Sequence, residues 1–218
     1  MKILTPEHIS ANFFMKGDSF EGINTLPHIM PSQVHGKNII TINDSNITEY
    51  ALPLRPEADG ILLLTSNAEA SLRFADCAPV MIYGDSWVMI LHSGYKGTVL
   101  NISREGLMIV REIFGVEAVK DSCAWIGPCI GRGYFRKSSD EWTVRGIESF
   151  HEGNYDIDGE NVYFDLASEI QSQLIECGLD GGNITLSGIN TLTDSRCYSY
   201  RRGDVHERMT LHVRLIRP

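Results

Sequence analysis

Two apolar runs separated by a short polar break constrain the fold of this chain more than any other feature. Val80–Tyr83 and Trp87–Leu91 flank the tripeptide Gly84-Asp85-Ser86. Apolar runs joined by a short glycine-bearing turn are typical of a β-hairpin. With a two-residue turn at Gly84-Asp85, Tyr83 pairs with Ser86, and this register fixes every other pair along the hairpin.

The register predicts that Cys77 lies directly opposite His92 at the open end of the hairpin. Opposed side chains have Cβ atoms about 4.5–5.5 Å apart. Zinc, with bonds of about 2.3 Å to sulfur and 2.0–2.1 Å to nitrogen, can bridge such a pair. A thiol–imidazole hydrogen bond, or simple packing of a buried cysteine against a core histidine, would also suit it. Spacing alone does not bring His35 to the same place.

A glycine-bearing turn, Ser93-Gly94-Tyr95-Lys96-Gly97, follows His92 and leads into the start of a predicted helix. Free backbone N–H groups at a helix start form an anion site, and Lys96 adds a positive charge there.

The remaining periodicity predicts an α+β fold of mixed β-sheets flanked by helices. We expect residues 1–218 to form a single domain, because no repeat or Pro/Gly-rich linker divides them. Predicted strands cover residues 37–43, 60–65, 70–75, 123–126, 183–187 and 209–216. Predicted helices cover 98–114, with Thr98 as N-cap and Gly115 as stop, and 165–177, with Asp165 as N-cap.

Charge and composition argue against several classes of partner. The 218 residues carry 28 acidic and 19 basic side chains, a net charge of −9, whereas nucleic-acid binders present basic faces. No stretch approaches the roughly 18 apolar residues of a membrane helix, and residues 1–15 lack the apolar run of a signal peptide. Five cysteines without a Cys-x-x-Cys pair disfavour a disulfide scaffold. We therefore expect a cytoplasmic protein without nucleic-acid or membrane partners.

Six ordered motifs resemble those of a known bacterial family. They are Gln33-Val34-His35-Gly36, Ala58-Asp59-Gly60, Ala75-Asp76-Cys77-Ala78-Pro79-Val80, His92-Ser93-Gly94-Tyr95-Lys96-Gly97-Thr98, Ile126-Gly127-Pro128-Cys129-Ile130-Gly131 and Ser199-Tyr200-Arg201-Arg202. Together they are similar to the YfiH/YlmD family, whose members are often called laccase-domain or polyphenol oxidase proteins and whose mammalian relative is FAMIN.

The resemblance implies one zinc ion bound by His35, Cys77 and His92, the residues at the matching motif positions. It also implies purine nucleoside chemistry: phosphorolysis of adenosine, inosine and guanosine, cleavage of methylthioadenosine, and adenosine deamination. Three protein ligands leave one position of a tetrahedral zinc open, which is the pattern of a catalytic site. We expect Cys77 and His92 to serve the catalytic centre, with a nucleoside and phosphate as its small-molecule ligands.

The resemblance also indicates residues for phosphate binding and for orientation. Arg201 and Arg202 fall in the last motif, Arg208 matches a further arginine of the family, and Lys96 replaces the commoner arginine of its motif. The alternative for each is a solvated surface cation. Asp76 is a candidate orienting acid, although a continuing strand would point it away from Cys77.

Other interpretations of the same residues stay open. In a metal-free cysteine hydrolase or amidase, Cys77 would be the nucleophile and His92 its base, an arrangement similar to that of CNF-type deamidating toxins. Editing of cell-wall precursors is a role attributed to some family members. A copper polyphenol oxidase is disfavoured because the seven histidines form no His-x-His pair, although copper can displace zinc in vitro. In a non-catalytic, zinc-stabilised binding module, Cys129 or His206 would supply the fourth ligand.

Overall fold

The structure, a computed structural model, describes residues 1–19 and 26–216. The strands in these ranges are β1 Ile9–Phe14, β2 His28–Ile29, β3 Ile39–Ile42, β4 Gly60–Leu63, β5 Glu69–Phe74, β6 Ala78–Tyr83, β7 Val88–Ser93, β8 Cys123–Ile126, β9 Arg136–Ser138, β10 Tyr155–Asp158, β11 Asn161–Phe164, β12 Ile184–Leu186 and β13 Met209–Leu215. The helices are α1 Ile47–Tyr50, α2 Tyr95–Val99, α3 Ile102–Phe114, α4 Val116–Lys120, α5 Glu141–Ser149 and α6 Leu166–Glu176.

The described strands form three sheets. A six-stranded sheet has the order β12-β8-β6-β7-β4-β3, a four-stranded sheet the order β1-β13-β5-β2, and a three-stranded sheet the order β10-β11-β9. Parallel and antiparallel pairs mix in both larger sheets, since β12–β8, β3–β4 and β2–β5 are parallel and the rest antiparallel. The predicted α+β fold of mixed sheets with helices is therefore confirmed.

The six-stranded sheet is the central layer, and it is buried on both faces. Met81 on β6 packs with Phe13 in the apolar core between the two larger sheets. Its neighbour Val80 points the other way, into a second core with Leu107 of α3 and Ile170 of α6. A sheet covered on both faces needs continuous apolar strands, which explains the unbroken apolar runs in the sequence.

Elements with strong local signals lie where the sequence predicts them. Helix α6 begins after Asp165, whose side chain accepts a hydrogen bond from the backbone N–H of Ser168 at 3.0 Å, and Gly178 follows it in a left-handed conformation with φ of 101°. Strand β13 buries Met209 and the apolar residues that alternate after it. In both cases the apolar spacing and the capping residues predict the element from its own segment.

The hairpin β6–β7 forms, but its predicted register is wrong. Tyr83 pairs with Val88, and His92 therefore faces Pro79 rather than Cys77. The turn spans Gly84–Trp87 instead of two residues because Trp87 is buried in the core on the helix side of the sheet. Its indole lies over Gly84, where a Cβ atom would come within 2.7 Å of Trp87 Nε1.

The helix predicted over residues 98–114 is two helices, α2 and α3. Thr98 lies inside α2, where its hydroxyl donates to the Gly94 carbonyl at 3.0 Å, so its prediction as N-cap is wrong. Asn101 caps α3 instead: its backbone is left-handed, and its side chain accepts from Arg104 N–H. Gly115 follows α3 as predicted. Every helix within residues 1–19 and 26–216 is too short or too polar to span a bilayer.

Candidate metal centre

Three potential ligands meet at one end of the six-stranded sheet. His35 lies in the loop before β3, Cys77 in the bend before β6, and His92 near the end of β7. Their ligand atoms all lie within 4.8 Å of one another, and the two imidazole centroids are 4.9 Å apart. One ion with bonds of about 2.0–2.3 Å reaches ligand atoms up to about 4.6 Å apart, so the cluster is close to the size that a single ion requires. A thiolate with two imidazoles is also a donor set for a transition metal.

A buried carboxylate, Asp59, holds two of these ligands in place. Its Oδ1 accepts from His92 Nδ1 at 2.8 Å and from the backbone N–H of His35 at 3.0 Å. Its Oδ2 accepts from the N–H groups of Gly36 at 2.7 Å and Val34 at 3.2 Å. With Nδ1 of His92 engaged, Nε2 is left to face Cys77. Such a carboxylate orients a ligand histidine and fixes its tautomer.

The loop that carries His35 is held from both of its sides. His35 has a left-handed backbone with φ of 60°, a conformation that non-glycine residues adopt only when their surroundings enforce it. The side-chain amide of Gln33 contributes to this, since it exchanges two 2.8 Å hydrogen bonds with the backbone of Arg73 on β5. The loop is therefore anchored to a strand and to Asp59.

A close backbone approach at Gly94 completes the cluster. A Cβ atom at this position would lie 2.8 Å from Cys77 Sγ and 3.3 Å from His35 Cδ2. Only glycine leaves enough room here for the thiol and the imidazole together.

Charges and hydrogen bonds among His35, Cys77 and His92 favour the ionised form of the Cys77 thiol. Burial alone would raise the pKa of Cys77, but the imidazoles of His92 and His35 lower it to about 6. Burial would likewise lower the pKa of His92, yet the thiolate and the Asp59 carboxylate raise it to about 9. The hydrogen bonds from His92 and the loop also hold the pKa of Asp59 below its usual value, against the effect of burial. Thiolate is the form of cysteine that binds metals.

Asp76 lies beside Cys77, but both of its carboxylate oxygens are occupied. Oδ1 accepts from the Thr191 hydroxyl at 2.6 Å, and Oδ2 accepts from the backbone N–H of Arg201 at 2.7 Å. The residue is left-handed, with φ of 78°. This arrangement ties the Cys77 bend to the C-terminal loops, and Asp76 also lines the cavity over the cluster.

A cavity of about 720 Å³ opens over the three ligands. Its volume lies within the roughly 300–1,000 Å³ of small-molecule sites. Arginines, aromatic rings and a further histidine contribute to its wall, beside Asp76 and several smaller or apolar residues; they are Arg55, Arg73, Arg201, Arg208, Phe135, Tyr200 and His206. The cavity thus combines a metal-binding cluster with positive charge and flat apolar surfaces.

The four predicted phosphate-binding cations divide into two groups. Arg201 and Arg208 line the cavity. Lys96 lies outside it, with its ammonium 4.8 Å from the centre of the Trp142 ring. Arg202 also lies outside, where its guanidinium donates to four backbone carbonyls and to the Asp204 carboxylate at 2.9 Å.

The two residues considered as a fourth ligand, Cys129 and His206, both lie outside the cluster of three ligands. Cys129 is buried among apolar side chains on the helix side of the central sheet, and burial raises the pKa of its thiol to about 12. His206 is exposed at the wall of the cavity. Among the described residues, neither belongs to the cluster of His35, Cys77 and His92.

Asp59, Arg55 and Arg73 are among the site residues that reasoning from the sequence missed. Asp59 was visible in the motif Ala58-Asp59-Gly60, but nothing local connects it with His35 or His92. Arg55 and Arg73 carried no signal, because an arginine before a proline and an arginine on the polar face of a strand are ordinary surface residues.

Comparisons with known proteins agree with the motifs. Residues 5–215 match the family described as multi-copper polyphenol oxidoreductase laccase. The purine nucleoside phosphorylase of Aquifex aeolicus is 27% identical over 184 residues, 84% of this chain and 81% of that protein. Purine nucleoside phosphorylase YlmD of Bacillus subtilis is 33% identical over 159 residues, 71% of this chain and 56% of that protein.

The fold is shared with a solved member of the same group. The crystal structure of protein YfiH from Bacillus licheniformis superposes with a TM-score of 0.79 at 21% identity, covering 95% of this chain and 92% of that one. The family match spans nearly the whole sequence, and its motifs supply the residues that meet at the end of the central sheet. The chain therefore belongs to the YfiH/YlmD laccase-domain family.

Proposed function

We propose that this protein is a zinc-dependent purine nucleoside enzyme that cleaves the bond between ribose and base with phosphate as the acceptor. The observation that carries the proposal is the convergence of His35, Cys77 and His92 beneath a cavity lined by arginines. The names of the relatives from Aquifex aeolicus and Bacillus subtilis, both purine nucleoside phosphorylases, support the same chemistry. Adenosine, inosine, guanosine and methylthioadenosine are the candidate substrates, and adenosine deamination is a candidate second activity.

Zinc suits the ligand set better than copper. A His₂Cys copper site of the electron-transfer type usually adds a long axial methionine or glutamine. The described residues that line this cavity include no methionine, and the amide of Gln33 is engaged with the backbone of Arg73. A multicopper centre needs several histidine clusters, and the described residues provide one group of three ligands. When bound, zinc would supply positive charge that polarises an oxygen of the substrate or of phosphate.

The residues of the chain would bind and orient the reactants. In phosphorolysis, a phosphate oxygen bonds to ribose C1′ as the bond to the base breaks and its electron pair leaves with the base. Arg201 and Arg208 are placed to hold the phosphate, because guanidinium groups match its oxygens. Phe135 and Tyr200 bring aromatic rings to the cavity, where the guanidinium groups of Arg201 and Arg208 lie 5.8 and 6.0 Å from their centres, and these rings would flank the base. Asp59 keeps His92 in one tautomer throughout, and Asp76 keeps the Cys77 bend in shape.

The test is metal content together with nucleoside turnover. We expect about one zinc per chain in the wild type and little in His35→Ala. The control His8→Ala should keep the wild-type zinc content, because His8 contacts the Gly84 carbonyl at the hairpin turn and is not part of the cluster. Liberation of adenine or hypoxanthine should require phosphate and should be lost in His35→Ala. Stoichiometric zinc without phosphate-dependent turnover would contradict the proposed reaction, and a metal-free wild type would contradict the zinc centre.

A metal-free cysteine hydrolase is the second candidate. The observation that favours it is the lowered pKa of Cys77, about 6, beside the imidazole of His92. An activated thiol without metal should react quickly with iodoacetamide at neutral pH in wild type, and slowly in His92→Ala. Protection of Cys77 by added zinc would count against this candidate.

A cell-wall editing role would use the same two residues, and a non-catalytic zinc module would bind zinc without turnover of any nucleoside.

A further inference from the structure

Three arginines from separate segments converge on one wall of the cavity. Arg55 lies between α1 and β4, Arg73 on β5, and Arg208 just before β13, the neighbour of β5 in its sheet. The side chain of Arg55 donates to the Met30 carbonyl at 3.2 Å and reaches that of Pro31 at 3.5 Å. Backbone carbonyls therefore fix its guanidinium in position.

Hydrogen bonds also hold the guanidinium of Arg208 and the backbone of Arg73. Arg208 Nη1 donates to the carbonyls of Val205 at 2.9 Å and Glu207 at 2.7 Å. Arg73 is set by the clamp of Gln33 on its backbone. A guanidinium has five donors, so Arg55 and Arg208 keep donors to spare.

No carboxylate in residues 1–19 or 26–216 forms an ion pair with Arg55, Arg73 or Arg208. This is unexpected in a chain with 28 acidic and 19 basic residues. The arginines repel one another: burial lowers the pKa of Arg73, and the charges of Arg208 and Arg55 lower it further. Like charges held together without a counter-charge are stabilised when an anion binds between them.

We propose that Arg55 and Arg73 join Arg208 in a subsite for a phosphoryl group on the wall of the cavity. Guanidinium groups bind phosphate oxygens in pairs, and three of them suit a dianion with several oxygens better than a carboxylate with two. The inference rests on the proposed function in one respect, which is that the proposed reaction uses phosphate as its acceptor. The phosphoryl group comes either from inorganic phosphate or from a nucleoside 5′-monophosphate.

The test is calorimetric titration of the full chain, purified with its metal, with inorganic phosphate and, in a second arm, with AMP against adenosine. We expect the Kd for the phosphoryl ligand to rise about 10-fold or more in Arg73→Gln and in Arg55→Gln. Arg145→Gln is the matched control, because Arg145 is an exposed arginine that stacks on Trp142 at 4.5 Å. It should bind like the wild type. Thermal denaturation verifies that each variant is folded.

Each outcome decides the proposal. Arginine-dependent binding of inorganic phosphate supports a subsite for the acceptor, and arginine-dependent binding of AMP alone supports one for a phosphorylated substrate. Equal affinities in wild type, Arg55→Gln and Arg73→Gln would overturn it, as would a wild type that binds neither ligand. Loss of binding in His35→Ala, with retention in the arginine variants, would overturn it by placing the anion on the metal.

The subsite and the proposed function fail separately. Arginine-dependent phosphate binding without nucleoside turnover removes the proposed function and leaves the subsite standing. Phosphorolysis whose KM for phosphate is unchanged in Arg55→Gln and Arg73→Gln, together with unchanged AMP affinity in the same variants, overturns the subsite and leaves the proposed function standing.

Discussion

Replacement of Asp59 by asparagine should weaken zinc binding although Asp59 lies outside the cluster of three ligands. An amide offers one oxygen where the carboxylate offers two, and its NH₂ group cannot accept. Whichever way the amide is turned, two of the four donors on Asp59 lose their partner: either His92 Nδ1 and His35 N–H, or the N–H groups of Gly36 and Val34.

The expected magnitude follows from the charge and burial of these bonds. Loss of a carboxylate that orients a ligand histidine lowers metal affinity by about 10–100-fold, which corresponds to about 1.4–2.8 kcal/mol. Asp59 is fully buried, so water cannot replace the lost acceptor, and we expect the upper half of this range. Asp59→Asn also removes the negative charge that makes the His92 imidazole a stronger donor to the metal.

Zinc affinity is measured by competition with a chromophoric chelator, with circular dichroism as a check on folding. Asp158→Asn is the control, because it makes the same chemical change at an exposed position on β10. It should bind zinc like the wild type. A folded Asp59→Asn protein with a zinc Kd within about twofold of the wild type would refute the claim that Asp59 prepares the site.

Three further predictions test other parts of the structure. Gly94→Ala should strongly reduce zinc binding, because its Cβ would lie 2.8 Å from Cys77 Sγ, whereas Gly133→Ala, with nothing within 4 Å, should match the wild type in metal content. Arg202→Ala should lower the free energy of unfolding in urea by about 1.5–3 kcal/mol and leave the KM for phosphate unchanged, and a raised KM with normal stability would contradict this. Burial raises the pKa of Glu69 to about 7, although Arg214 lowers it, so its ionisation destabilises the fold as pH rises from about 4.5 to 7. As pH rises through this window, the free energy of unfolding of Glu69→Gln should increase relative to that of the wild type by at most roughly 3 kcal/mol. A difference in free energy of unfolding that stays constant with pH would refute the raised pKa of Glu69.

Elements specified by local spacing could be predicted from the sequence. Helix α6 and strand β13 were predicted because their capping and apolar periodicity lie within single segments. The α+β class followed from the number and mixture of such elements. The hairpin was identified for the same reason, but its register was not, because the turn length depends on the burial of Trp87 in a core built by distant residues.

The candidate site likewise contains some residues that could be predicted from the sequence and others that could not. The meeting of Cys77 and His92 was predicted from a register that the structure does not have, and they meet because Cys77 lies in a bend before β6. His35 could be named only through family resemblance, since its position depends on hydrogen bonds to Asp59 across the fold. The convergence of Arg55 and Arg73 on the cavity was also out of reach, because it follows from how the loops pack over the sheet.

The separation of the three ligands along the chain links metal binding to folding. His35, Cys77 and His92 come from a loop, a bend and a strand that approach one another only when the central sheet has formed. An unfolded chain would therefore hold the proposed zinc far more weakly than the native one, so that free zinc stabilises the native state. At a concentration 100 times its Kd, such a ligand adds about 2.7 kcal/mol to the free energy of unfolding. The supply of zinc in the surroundings would thus change the stability of the fold as well as the occupancy of the proposed metal centre.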